Sequence, residues 1–134
     1  MSTVFTMIIE GQIPGTFVHR DEHCVVFMSI NPMTEGHALV VPIEEIDHWV
    51  DASLELSAHL FAVAHRVGLA QRAVFGCEKV GMMIAGYEVP HAHIHLVPTN
   101  EMSELSFANA AASVDREDLE HWAERITTAL AAQP

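Results

Sequence analysis

The sequence predicts an α+β domain in which a five-stranded antiparallel sheet carries a short N-terminal helix, a long central helix and a C-terminal helix. Three observations predict it. Five short runs of β-branched, aliphatic or aromatic residues, near 16–19, 24–29, 37–43, 78–85 and 91–97, are separated by turn-forming residues. Between the third and fourth lies one long segment, 53–75, whose apolar residues recur with helical spacing. The last run alternates strictly between histidine and apolar residues, the period of a strand. A chain of 134 residues is expected to form one domain burying roughly 65–70% of its unfolded surface.

Each element has its own signal. Val4, Phe5, Ile8 and Ile9 have helical spacing and run into Gly11 and Pro14, which predicts a short helix ended by glycine and a turn. Phe17, Val18, Val25, Val26 and Phe27 supply two strands, with Arg20-Asp21-Glu22-His23 as their polar turn. After the turn-rich loop 31–36, residues 37–43 are almost continuously apolar, as expected of a central strand. Asp51 or Ser53 is placed to cap the long helix and Gly76 to stop it. Its stripe is Leu56, Leu60, Val63, Val67, Ala70 and Val74, with His59, Arg66 and Arg72 off the stripe and read as solvated. Gly68 either admits a neighbouring backbone or weakens the helix. Residues 78–85 form the fourth strand, and 99–112, rich in Asn, Ser and Ala, have no predicted shape. Leu119, Trp122, Ile126 and Leu130 share one face of a last helix, about 115–131, with acidic residues in its first turn where the helix dipole favours them.

Composition limits the partners. Six Lys and Arg against 18 Asp and Glu give a net charge of −12. Such a surface repels polyanions, so duplex nucleic acid is not expected; a small nucleotide held by backbone N–H groups and local imidazoles is compatible with it. Cys24 and Cys77 are in no C-x-x-C pair and read as small buried apolar residues of a reducing compartment. Residues 1–6 lack a basic segment followed by an apolar core, and no run reaches membrane-spanning length, so a cytoplasmic protein without membrane contact is expected.

The chemistry concentrates in Pro90-His91-Ala92-His93-Ile94-His95-Leu96-Val97-Pro98. In a strand His91, His93 and His95 line one side and Ala92, Ile94 and Leu96 the other. Alternate residues on a strand lie roughly 6.6–6.8 Å apart, so two of these histidines can share an ion and three hardly can; zinc would need ligands from elsewhere. Surface histidines are the bland alternative. The catalytic alternative is a neutral imidazole acting as nucleophile while its neighbours donate hydrogen bonds to an anion such as a phosphoryl group.

Residues 91–97 carry the His-φ-His-φ-His-φ-φ pattern, with φ apolar, and Gly36-His37-Ala38-Leu39-Val40-Val41-Pro42 carries Gly-His-φ-φ-φ-φ-Pro. In these two motifs, and in Thr3-Val4-Phe5 and the Ile13-Pro14 turn, the chain resembles the histidine triad (HIT) family and its Hint-like nucleotide hydrolase branch over about residues 3–98. The resemblance implies that His93 attacks a nucleotide α-phosphate, that His91 and His95 bind the phosphate, and that His37 supports them; on the neighbouring strand, His37 is expected to hydrogen-bond His91 and fix its tautomer. It places the nucleoside between the first helix and the second strand, at Val4, Phe5, Ile8, Phe27, Met28, Ile30 and Leu39, with Ser29 and Val89 beside it. It also implies a homodimer with joined sheets.

Departures from the family pattern bear on the substrate. Ser29 stands where relatives commonly have the ribose-binding Asp, and forms weaker hydrogen bonds to a diol. Gly86-Tyr87-Glu88-Val89 stands where they have Gly-Gln-Ser/Thr-Val, so Glu88 is expected at the leaving group, as a proton donor or as a charge repelling an anion. The fourth strand lacks their Asn near Val80. Thr6 occupies the place of an N-terminal zinc-ligand cysteine, so no structural zinc and no cofactor are expected. Three functions follow: a nucleotide hydrolase or nucleotidyl transferase releasing a nucleoside monophosphate from a phosphoramidate, adenylate or similar ester; a nucleotide-binding regulatory protein with little turnover; and a metal-binding protein using His93, His95 and His37.

Overall fold

The computed structural model describes residues 2–134; Met1, the first residue of the stretch read for a targeting signal, lies outside them. Helices are α1 (Val4–Ile9), α2 (Leu54–Phe75) and α3 (Arg116–Ala131), and strands are β1 (Phe17–Arg20), β2 (Cys24–Met28), β3 (Ala38–Pro42), β4 (Lys79–Met83) and β5 (Ile94–Thr99). All neighbouring strands are antiparallel, in the order β1-β2-β3-β5-β4. The predicted α+β class and all its main elements are present.

Alternation along the strands divides the core in two. Cys24, Val26 and Met28 of β2, Ala38 and Val40 of β3, and Ile94 and Leu96 of β5 pack with α2 and α3. Val25, Phe27, Leu39 and Val41 pack with Phe5 of α1 on the opposite side. With both faces covered, β2, β3 and β5 are buried at every position.

Local chemistry sets the helix ends. The Thr3 hydroxyl accepts from the Thr6 amide at 3.1 Å and starts α1. Ser53, rather than Asp51, caps α2, accepting from the Leu56 amide at 3.0 Å, and Gly76, left-handed at φ 59°, ends it. A Cβ on Gly68 would meet only Val80 Cγ1 at 4.0 Å, so this glycine weakens α2 without admitting a close neighbour.

Two details differ from expectation. Strand β5 begins at Ile94, so His91 and His93 precede it in irregular backbone, and β3 begins just after His37. His59, read as solvated, is half-buried and bonded to Asp21 at 2.9 Å. Its helix position faces the β1–β2 turn, a tertiary neighbour that helical periodicity does not encode.

Gln71 is fully buried in α2, and its Nε2 donates to Gly36 O at 2.9 Å and to Leu96 O at 3.0 Å. It thereby ties the residue before His37 to the residue after His95. Gly36 itself has φ 86°, and a Cβ there would stand 2.2 Å from the Phe75 ring, so only glycine permits this approach of the His37 segment to the end of α2.

Candidate active site

A cavity of about 660 Å³ opens between α1, β2, the residues leading into β5, and the start of α3. Every residue expected around the nucleoside, namely Val4, Phe5, Ile8, Phe27, Met28, Ser29, Ile30, Leu39 and Val89, lines it, and so do His37, Glu88, His93 and His95. His91 does not. Its ring is fully buried behind the cavity, with Nε2 2.7 Å from Pro42 O and Nδ1 2.7 Å from the Thr3 hydroxyl. The expected hydrogen bond from His37 to His91 is likewise replaced: His37 Nε2 lies 2.9 Å from His95 Nδ1. The cause is the late start of β5, which leaves His91 outside the ladder and free to turn toward α1, away from the row expected of a strand.

These contacts fix every tautomer, because amides only donate and carbonyl oxygens only accept. The Met33 amide donates to His37 Nδ1 at 3.0 Å, so the His37 proton sits on Nε2 and is donated to His95 Nδ1. The remaining proton of neutral His95 is therefore on Nε2. His93 Nδ1 donates to His91 O at 2.8 Å, which leaves His93 Nε2 as a bare lone pair. His91 Nε2 donates to Pro42 O, so its Nδ1 accepts from the Thr3 hydroxyl. Neither His93 Nε2 nor His95 Nε2 has a protein partner, yet neither is sealed: among the described residues Gln71 Oε1 alone is a fully buried side-chain N or O atom without one. Edge-on contacts with Phe5, at 4.8 Å between ring centroids, and with His95, at 4.7 Å, hold the His93 ring between them.

Electrostatics favour the neutral forms. Burial pushes His37 down to about 3, and the charges of His95 and His93 add to it. Burial likewise lowers His95 to about 4, with His93 adding. His93 is also below the usual imidazole value, first through burial; its bond to His91 O and the Glu88 carboxylate oppose the shift. At pH 7 the pocket thus offers a lone pair on His93 beside an N–H donor on His95.

The structure adds residues that the sequence left unread. Phe107 sits edge-on to His95 at 5.3 Å, and Ala110, Ala111, Val114, Arg116 and Leu119 complete the wall. Asn31 Nδ2 holds this segment in place by donating to Ala111 O at 3.1 Å and Ala112 O at 3.0 Å. A lone phenylalanine among small polar residues was the available signal. Thr3, which anchors His91, was read only as part of the segment Thr3-Val4-Phe5 and without this role. Ser29 is buried, its hydroxyl accepting from the Asn31 amide at 3.2 Å, and Glu88 is exposed on the cavity's rim.

Comparison with known proteins agrees with this geometry. The family model of the HIT domain matches residues 10–102. An uncharacterized HIT-like protein of Methanocaldococcus jannaschii is 36% identical over 104 residues, 73% of this chain and 79% of that protein. The protein named hit of Bacillus subtilis is 33% identical over 102 residues, 71% of this chain and 69% of that one. Among solved structures, a HIT-like protein involved in cell-cycle regulation from Bartonella henselae superposes with a TM-score of 0.84 at 25% identity, covering 96% of each chain. A zinc-bound histidine triad family protein from Mycobacterium smegmatis superposes with a TM-score of 0.82 at 29% identity, covering 98% of this chain and 94% of that one. With its motifs, its fold and its relatives in agreement, the chain belongs to the HIT domain family.

Proposed function

We propose that this protein is a nucleotide hydrolase or nucleotidyl transferase that releases a nucleoside monophosphate from a phosphoramidate, adenylate or similar ester. The observation that carries the reading is the His93 tautomer: Nδ1 is committed to His91 O and Nε2 is left as an unpaired base beside the cavity. The Nε2 lone pair attacks the α-phosphorus and the bond to the leaving group breaks, giving a nucleotidyl-imidazole. Water then attacks the same phosphorus, the P–N bond breaks, and the lone pair returns to His93; the proton that the water loses to solvent balances the one that the leaving group takes up from solvent on departure. His95 Nε2–H donates to a non-bridging oxygen through both steps, and His37 holds that proton in place by occupying His95 Nδ1. His91 is a positioning residue, acting through its carbonyl.

The nucleoside lies against Val4, Phe5, Ile8, Phe27, Ile30 and Leu39, and the leaving group departs past Glu88 on the rim. A carboxylate there disfavours an anionic leaving group and suits a neutral or cationic amine, which supports a phosphoramidate above a dinucleotide. Ser29 favours a second reading, a nucleotide-binding protein with little turnover, since its hydroxyl already serves the Asn31 amide and no acid grips the ribose. A fluorogenic adenosine phosphoramidate distinguishes the two. Release by the native chain, falling at least 10³-fold in His93→Ala, supports the hydrolase; equal slow release by both proteins contradicts it.

The family resemblance extends the proposal to a homodimer. The edge strand β4 exposes Met82 at 42% and neighbouring Ile84 at 36%, with Trp49 and Phe61 exposed nearby. Sedimentation is expected to give twice 14.8 kDa, and Met82→Glu to give the monomer.

A further inference from the structure

Away from the cavity, at the turn between β1 and β2, four metal-ligating side chains meet. Asp21 Oδ2 lies 2.6 Å from His19 Nε2, 2.9 Å from His59 Nε2 and 3.6 Å from Cys24 Sγ. Its other oxygen accepts the His23 amide at 2.7 Å and the Cys24 amide at 2.9 Å. A carboxylate offers about four lone-pair directions, and this one has five donors around it, three of them crowded on one oxygen. None of the four side chains lines the cavity. They come from β1, the turn, β2 and α2, so the cluster spans three elements of the fold.

We propose that His19, Asp21 and His59, closed from the core side by Cys24, form a binding site for a zinc-type divalent ion. The donor set is two imidazole nitrogens, a carboxylate oxygen and a sulfur, the mixture that tetrahedral zinc takes. The ligand atoms of His19, Asp21 and Cys24 already lie within 4.8 Å of one another. Zinc bonds of roughly 2.0–2.3 Å separate tetrahedral donors by about 3.3–3.7 Å. His19 therefore needs to retreat from Asp21 by less than about 1 Å, while His59, whose nitrogen lies outside that group of three, turns in from α2 toward it; both histidines are partly exposed. The ion takes the place of the crowded protons: the thiol proton leaves to solvent, and each neutral imidazole shifts its one N–H proton from Nε2 to Nδ1 so that Nε2 can bind the ion. A dication with one carboxylate and one thiolate is neutral as a whole, which suits a site whose sulfur is fully buried. Bound there, the ion clips the β1–β2 hairpin at the sheet's edge to α2.

The test is to strip the full chain with a chelator, reload it with zinc, and compare it with His59→Ala and His93→Ala. One equivalent is expected in the native chain and in His93→Ala, with affinity at least tenfold weaker in His59→Ala. His59→Ala is first checked for the native fold by circular dichroism, and a Tm rise of roughly 5–10 °C with excess zinc is expected only where His59 is present. Cobalt in place of zinc should give a sulfur-to-metal charge-transfer band that Cys24→Ser removes. No bound metal and an unmoved Tm in the native chain would overturn the site. So would zinc that is lost in His93→Ala and kept in His59→Ala, since the catalytic imidazoles would then be its ligands.

Discussion

At the scale of single residues, the proposed mechanism rests on where three protons sit. A nucleophile at the ordinary imidazole pKa of about 6.5 would lose half its activity there. Burial holds His93 below that value, so the neutral form persists to lower pH. The expected kcat/KM profile is flat from pH 8 through 6.5 and falls about tenfold per unit only on the acid side of the His93 pKa; half-maximal activity at 6.5 or above contradicts it. Glu88 is the second lever. Glu88→Gln should shift the ratio of kcat/KM for anionic over cationic leaving groups upward by roughly five- to tenfold, the effect of one nearby charge worth about 1–1.4 kcal/mol. An unchanged ratio would remove Glu88 from the leaving-group path. The alternation with apolar residues picked out His93 and His95, which line the cavity, together with His91, which lies behind it. The partners of His91 and His37 were not legible, because Thr3 and Pro42 reach His91, and His95 reaches His37, through tertiary contacts 88, 49 and 58 residues apart in the chain.

At the scale of elements, the strands and helices followed from period and caps, and the stripe Leu60, Val63, Val67 and Ala70 is buried as its spacing requires. What periodicity passed over is Gln71, a polar residue next to that stripe that is as buried as its neighbours. Its amide holds the segments bearing His37 and His95 at a fixed separation. Gln71→Leu keeps the volume and removes both hydrogen bonds, so a loss of about 1–3 kcal/mol is expected from the denaturant midpoint; a change under about 0.5 kcal/mol would mean that the clamp carries no weight. The segment after β5 stayed unread for a different reason. Its two short turns, Met102–Glu104 and Phe107–Asn109, are held by bonds from Asn31 and by the Phe107 contact with His95, and neither is a local signal.

At the scale of the molecule, acid stability depends on the same buried rings that the proposed mechanism uses. His37 and His95 are lowered in the folded chain to about 3 and about 4 from 6.5. Between those values the unfolded chain binds protons that the folded chain refuses, so stability is full above pH 6.5 and falls as the pH drops. Each ring contributes a slope of up to about 1.4 kcal/mol per unit, both acting from 6.5 to 4 and His37 alone down to 3. Urea denaturation at pH 7.5, 6 and 5 should trace this decline, and equal stability at all three would contradict the buried neutral pair. The α+β layering was legible, and so was the two-sided burial of β3 from its continuous apolar run, whereas β5, whose histidines alternate with apolar residues, read as having one apolar face and is buried on both. The cavity was legible only through likeness to a family, because Phe5, Phe27 and Leu39 are equally good core residues.

The stereochemical course at phosphorus tests the central claim most directly. The native chain would be given a single P-diastereomer of a nucleoside 5′-phosphorothioate amide or ester in ¹⁸O-labelled water, and the configuration of the product determined. Attack by His93 followed by attack of water is two in-line displacements, and the account predicts net retention. Inversion would mean that water displaces the leaving group in one step, with His93 a bystander or a base.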